Sequence, residues 1–145
     1  MNFSQSNFRF SFTFVLYLLF LSLGSCYSGI EGKLIGTWQG SDFLFVKIKG
    51  PNLVATVNGG LDQHLNSKMI LKEDGSYEML IATYDNGKGT WEVDVDQLIL
   101  SDESGNELIY KLLKVTDKEL VTSHEVSIDT PSGEMSGKIT LSYIR

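Results

Sequence analysis

This 145-residue chain is poor in the residues that stabilise small secreted folds or build metal centres: it has one cysteine, two prolines and two histidines. A lone cysteine excludes an internal disulfide framework, so the fold has to hold through its apolar core. The prolines, Pro51 and Pro131, both fall in turn-like stretches, which leaves the ladders of a sheet uninterrupted. The histidines, His64 and His124, stand far apart with no cysteine between them, so no metal-ligand spacing exists and no cofactor is expected. The acidic residues Asp102, Glu103 and Glu107 do not follow the spacing of a calcium loop. The chain also lacks a Gly-x-Ser-x-Gly element and a glycine-rich turn over a helix N-terminus. We therefore read it as a non-enzyme. An excess of positive charge is missing too: 12 basic residues face 18 acidic ones, the net charge is −6, and the signs are interspersed. That excludes a nucleic-acid partner, which requires a basic face, and purely electrostatic docking on anionic lipid.

No apolar run reaches the roughly 20 residues that a membrane-spanning helix needs. The one long run, Phe10 to Leu23, follows the single positive residue Arg9 and ends at Leu23-Gly24-Ser25-Cys26. Its length is that of a secretory signal. A hydrophobic segment, two small residues and then the chain's only cysteine form the pattern of a bacterial lipoprotein signal. Residues 1–25 are accordingly expected to be removed, leaving Cys26 as the lipid attachment site. Loss of Arg9 with the signal shifts the net charge from −6 to −7. The membrane is then a partner through a covalent anchor, whose acyl chains contribute about 0.8 kcal/mol per buried CH₂. Residues 26–33, with Ser28, Gly29 and Gly32, read as the lipidated cysteine and a short tether. Tyr27, and no aspartate, follows Cys26, which by resemblance to enterobacterial lipoprotein sorting favours the outer membrane of the cell envelope; the domain is expected to face the periplasm.

From residue 34 to 145 the chain reads as strands. Apolar residues alternate with polar ones in Trp91-Val93-Val95, Leu120-Thr122-His124-Val126-Ile128, Ile139-Leu141-Tyr143 and Leu44-Val46-Ile48, so each set is expected on an inner face. Turn residues recur every ~8–12 positions: Glu73-Asp74-Gly75-Ser76, Asp85-Asn86-Gly87-Lys88, Asp102 to Asn106, Asp117-Lys118 and Thr130-Pro131-Ser132-Gly133. No long helix is evident; Gly59 to Asn66 reads as a loop or a single helical turn, with His64 exposed on it. These signals predict a single antiparallel up-and-down β-barrel of about eight to ten strands.

Leu34-Ile35-Gly36-Thr37-Trp38, Leu71 to Tyr77 with its Asp74-Gly75 turn, Gly89-Thr90-Trp91 and Leu98-Ile99-Leu100, in that order, resemble the lipocalin-like domain family of small bacterial lipoproteins. The resemblance spans residues 34 to 145. It implies a lipocalin-like barrel whose closed end is plugged by Trp38, with Arg145 in the place of the arginine that covers this tryptophan in lipocalins. Alternation then proposes Tyr77, Met79, Trp91, Tyr110, His124 and Tyr143 as residues around a small hydrophobic ligand entering at the end away from Trp38. The alternative is a non-catalytic protein-interaction or inhibitor module of the envelope, with a packed barrel interior.

Overall fold

Strands with one apolar face can hide it by closing on themselves, and here eight of them do so. The computed structural model describes residues 29–52, 54–81 and 84–145; the expected signal segment 1–25 and the expected lipid attachment site, Cys26, lie outside the described residues. The strands are β1 (Gly36–Lys49), β2 (Ser67–Leu71), β3 (Ser76–Ile81), β4 (Tyr84–Asp94), β5 (Gln97–Asp102), β6 (Glu107–Val115), β7 (Glu119–Thr130) and β8 (Gly133–Ile144). Each is antiparallel to the next, and β8 returns to β1 to close the barrel. Two helices accompany them among the described residues, α1 (Ile30–Leu34) before β1 and α2 (Val54–Leu65) between β1 and β2. The end of the expected tether, Ile30 to Lys33, is therefore helical, and Leu34 is fully buried.

The core is built from the inward positions of every strand, with Trp38, Met69, Leu71, Leu98, Leu100, Leu120 and Tyr143 almost wholly removed from water. Trp38 closes one end. Its indole N–H donates to the Leu34 carbonyl at 2.7 Å, and the Arg145 guanidinium lies 4.4 Å from the ring centroid. Arg145 also donates to the carbonyls of Ile35, Lys33 and Asp117, tying α1 and the β6–β7 turn to that end. Gly36 has φ +136°, and a Cβ there would lie 2.7 Å from the guanidinium, so a residue without a side chain lets the arginine settle.

Four local expectations are corrected. Leu44, Val46 and Ile48 face outward and are more than half exposed, while Phe43 and Phe45 turn inward. The cause is a bulge: the β1–β8 register passes from Gly40↔Tyr143 to Asp42↔Ser142, and the extra residue, Ser41, reverses the parity of the strand as far as a second shift between Lys47 and Lys49. Phe45 packs so closely on β8 that a Cβ at Gly137 would sit 2.2 Å from its ring. Second, Asp85-Asn86-Gly87 is not the β3–β4 turn. The ladder pairs Met79 with Gly87 and Leu80 with Asp85, so this triplet forms a bulge inside β4, and the pairing continues to Ile81 with Tyr84. Third, Val95 is not a core residue; it sits in the β4–β5 turn with φ 55° and is 88% exposed. Fourth, the segment read as a loop or a single turn belongs to a helix of 12 residues, α2.

Candidate functional site

The two ends of the barrel are built differently. At the Trp38 end the strands are paired, and Leu34 and Trp38 are buried in the core. At the other end α2 packs against β1, between the β1–β8 ladder and the short β2. The β6–β7 ladder runs only from Lys111↔Ser123 to Val115↔Leu120, and from His124 onward β7 is paired along β8. A cavity of about 270 Å³ lies in this half, bounded by Gly60, Gln63 and His64 of α2, Ser67 of β2, Met79 and Ile81 of β3, Phe43 of β1, Ile139, Leu141 and Tyr143 of β8 and His124 of β7.

The helix reaches this position because its C-terminal carbonyls have partners. Ser67 Oγ donates to the His64 carbonyl at 2.7 Å, Gln39 Nε2 to that of Leu65 at 2.9 Å, and Asn66 Nδ2 to that of Asp62 at 2.8 Å. The last carbonyls of a helix lack intrahelical bonds, and that of Asp62 also accepts the Asn66 backbone N–H at 3.2 Å. Gly60 and His64, four residues apart, share a helix face. At Gly60 a Cβ would meet the Phe43 ring at 3.2 Å, so the absence of a side chain lets α2 lie on that ring.

His64 is buried, in contrast to the exposed position expected for it. Its Nε2 donates to the Ser142 carbonyl at 2.8 Å, which fixes the hydrogen on that nitrogen, and its ring stands edge-on to Tyr143 at 4.8 Å. Burial holds its pKa below the ordinary histidine value, against the opposing pull of the Ser142 carbonyl and of Asp42. His124 stands edge-on to Tyr110 at 5.0 Å, and its pKa is lowered by desolvation. Its Nδ1 is buried without a hydrogen-bond partner, as is Thr122 Oγ1 two residues earlier on the same face of β7. Burial raises the pKa of the Tyr143 hydroxyl far above the usual tyrosine value, with a smaller effect from Tyr110. Burial likewise raises that of Tyr110, with Tyr77 adding to it.

Of the six residues proposed from alternation, Met79, His124 and Tyr143 line the cavity. Tyr77 and Tyr110 belong to the core, Tyr110 as the ring that carries His124. Trp91 is also core; its indole donates to the Lys72 carbonyl at 2.9 Å, and it borders a separate hollow of about 240 Å³ with Glu31, Glu92 and Val93. Alternation put Leu44, Val46 and Ile48 on the inner face, whereas the bulge at Ser41 turns Phe43 inward opposite α2. Sequence reasoning missed Gly60, Gln63 and His64 because Gly59-Gly60 is poor helix sequence. The usable signal was the spacing of those three residues, i, i+3 and i+4, which a helical reading would have placed on one face. No protein-family model matches this chain, and no curated protein matches it in sequence.

The two histidines give the barrel a pH dependence whose sign is fixed. Both have folded-state pKa values below their unfolded value, so both are held neutral by the fold. Their full contribution is present above about pH 6.5, and it is lost as the pH falls and the unfolded state alone takes up protons. The urea midpoint should therefore drop between about pH 7 and pH 5, well above the range in which ordinary carboxylates titrate. Replacing His124 by leucine should flatten that part of the profile; an unchanged slope in the variant would assign the effect elsewhere.

Proposed function

We propose that this protein is a lipid-anchored lipoprotein of the cell envelope whose lipocalin-like barrel holds a small hydrophobic ligand beneath α2. One observation carries the ligand: a largely apolar cavity near the lower end of the size range of small-molecule sites, with a few polar atoms at its wall. The closed end supports the lipocalin-like assignment, since Arg145 stacks on Trp38 as the family resemblance implies. The anchor is supported by the sequence alone, through the apolar run ending at Cys26 and the absence of any other cysteine. The protein is then a binder and not an enzyme, moored to the outer membrane and facing the periplasm.

The ligand is tested by native mass spectrometry of the protein purified from its own host. A co-purifying small molecule is expected, and it should be lost when Ile139 on the cavity wall is replaced by tryptophan. The anchor is tested with labelled palmitate. Incorporation should occur in the unaltered chain and vanish in Cys26→Ala, which should also move the protein from the membrane fraction to the soluble one. Equal incorporation by both chains would remove the anchor from this account.

The exposed outer row Leu44, Val46 and Ile48 favours a second use of the same fold, as an interaction or inhibitor module. In that case the protein would leave its host without a small molecule, and Val46→Lys would release a bound protein partner.

A further inference from the structure

The two ends of the barrel differ in which of them the chain's N-terminal segment joins. Gly29, the first described residue, opens α1, and α1 is fixed to the Trp38 end. Leu34 is fully buried there, its carbonyl accepts the Trp38 N–H, and Arg145 holds the carbonyls of Lys33 and Ile35. Cys26 stands three residues before Gly29, and three residues reach about 11 Å at most. An acyl group on Cys26 therefore keeps the start of α1 within about that distance of the bilayer interface. The other end is far off. Ile48 stands twelve residues after Gly36 on β1. That is about 40 Å along a strand and about 30 Å along the axis of a barrel of ordinary tilt. The cavity beside α2 lies in that far half.

The Trp38 end also carries apolar side chains that the core does not use. Val95, in the β4–β5 turn, is the most exposed of the large apolar residues described, at 88%. Its φ is 55°. A β-branched residue seldom adopts this left-handed backbone, and packing inside the protein does not account for one here. Ile30, at the start of α1, is exposed too. The two share a neighbourhood, because Glu31 of α1 and Val93 of β4 border one hollow. We propose that this closed end is a membrane-contacting surface, with Val95 and Ile30 in the interface of the bilayer that holds the anchor and the cavity half held away from it. This rests on the anchor read at Cys26. The contact is apolar, and its strength follows the area buried. Asp94 and Asp96 flank Val95, so anionic lipid would repel the turn and a zwitterionic surface suits it.

The chain, labelled at isoleucine and valine methyls, is purified from host membranes, and its mass reads the lipid on Cys26. It is then placed in phosphatidylcholine nanodiscs that hold a small share of lipid with a gadolinium chelate on the head group. Broadening of each methyl resonance measures its nearness to the lipid surface and falls steeply with distance. Across about 30 Å, broadening at Val95 and Ile30 should exceed that at Ile48 and Ile128 by about tenfold or more. Ile48 and Ile128 are exposed as well, so burial does not shield them. Asparagine tolerates the left-handed backbone, so Val95→Asn should stay folded while it removes the apolar tip, and broadening at Ile30 should fall severalfold. Equal broadening at the two ends of the unaltered chain, or the stronger at Ile48 and Ile128, would overturn the membrane-contacting end and leave the anchor in place. Broadening at Ile30 unchanged by Val95→Asn would overturn the β4–β5 turn as the contact. A mass without lipid on Cys26 would overturn the anchor itself, and this surface with it. The comparison in the unaltered chain decides the matter even if the asparagine variant does not fold.

Discussion

Trp38→Ala should cost the barrel about 3–5 kcal/mol, the largest loss expected from any single side-chain truncation here. The indole is fully buried, and its removal opens a cavity that the closed end of a hydrogen-bonded barrel cannot collapse to fill. Two further losses follow. The Leu34 carbonyl gives up its 2.7 Å hydrogen bond, and Arg145 loses the ring beneath its guanidinium. A buried acceptor without a partner costs about 1–3 kcal/mol unless water reaches it. Since domains of this size are typically stable by only about 5–15 kcal/mol, the variant should unfold at much lower urea and well below the parent's melting temperature. Trp38→Phe should retain most of the packing and lose chiefly the N–H bond, so it should fall between the two. A double-mutant cycle with Arg145→Ala isolates the stacking, expected at about 0.5–2 kcal/mol. Additivity of the two substitutions would show that Arg145 acts only through its bonds to the Lys33, Ile35 and Asp117 carbonyls.

Much of this fold was legible because a half-buried strand leaves a period-two record. Ile139, Leu141 and Tyr143 point inward as their alternation requires, as do Leu120 and Thr122. The turns at Asp74-Gly75 and Asp102 to Asn106 stand where their residues place them; Asp102 accepts from the backbone N–H groups of Ser104 and Asn106 and from the Asn106 side chain. What failed was register. Period two assigns faces only within an unbroken run, and one inserted residue, Ser41, reverses the faces of β1 until a second shift between Lys47 and Lys49. Nothing in Gly-Ser-Asp announces a bulge as opposed to a turn. The same ambiguity misplaced the β3–β4 turn, since Asp-Asn-Gly serves a bulge as readily as a hairpin.

The site was less legible than the fold, because it depends on α2. Its sequence, with Val54, Val57 and the pair Gly59-Gly60, has poor intrinsic helix propensity. The helix is held by tertiary contacts: three carbonyls at its C-terminus are met by Gln39, Asn66 and Ser67. Local propensity could not report those partners, and without the helix His64 had no reason to be buried.

Three glycines around α2 should respond in different ways to the same substitution, and the contrast tests whether the helix closes the cavity. Gly40 is buried on β1, and a Cβ there would lie 1.9 Å from the His64 carbonyl oxygen and 3.0 Å from Ser67 Oγ. The obstacle is backbone at a capped helix end, so Gly40→Ala has to push α2 away from β1 and break the Ser67 bond to His64. Overpacking against such an obstacle places the loss at about 2–3 kcal/mol. The cavity wall should open with it, so affinity for any apolar probe should fall together with stability. Gly60 meets the edge of the Phe43 ring at 3.2 Å, and a side chain can yield where a backbone cannot. Gly60→Ala should therefore change stability little and reshape the cavity beside Phe43. Gly59 has nothing within 4 Å of its absent Cβ. Alanine there meets no obstacle and is the better helix former by about 1 kcal/mol, so Gly59→Ala should raise the urea midpoint. Urea unfolding and octane titration of the three variants provide the check. Because the favourable change at Gly59 requires a folded helix and the unfavourable one at Gly40 requires that helix to be seated, a gain at Gly59 with no loss at Gly40 would mean that α2 forms but does not close the barrel.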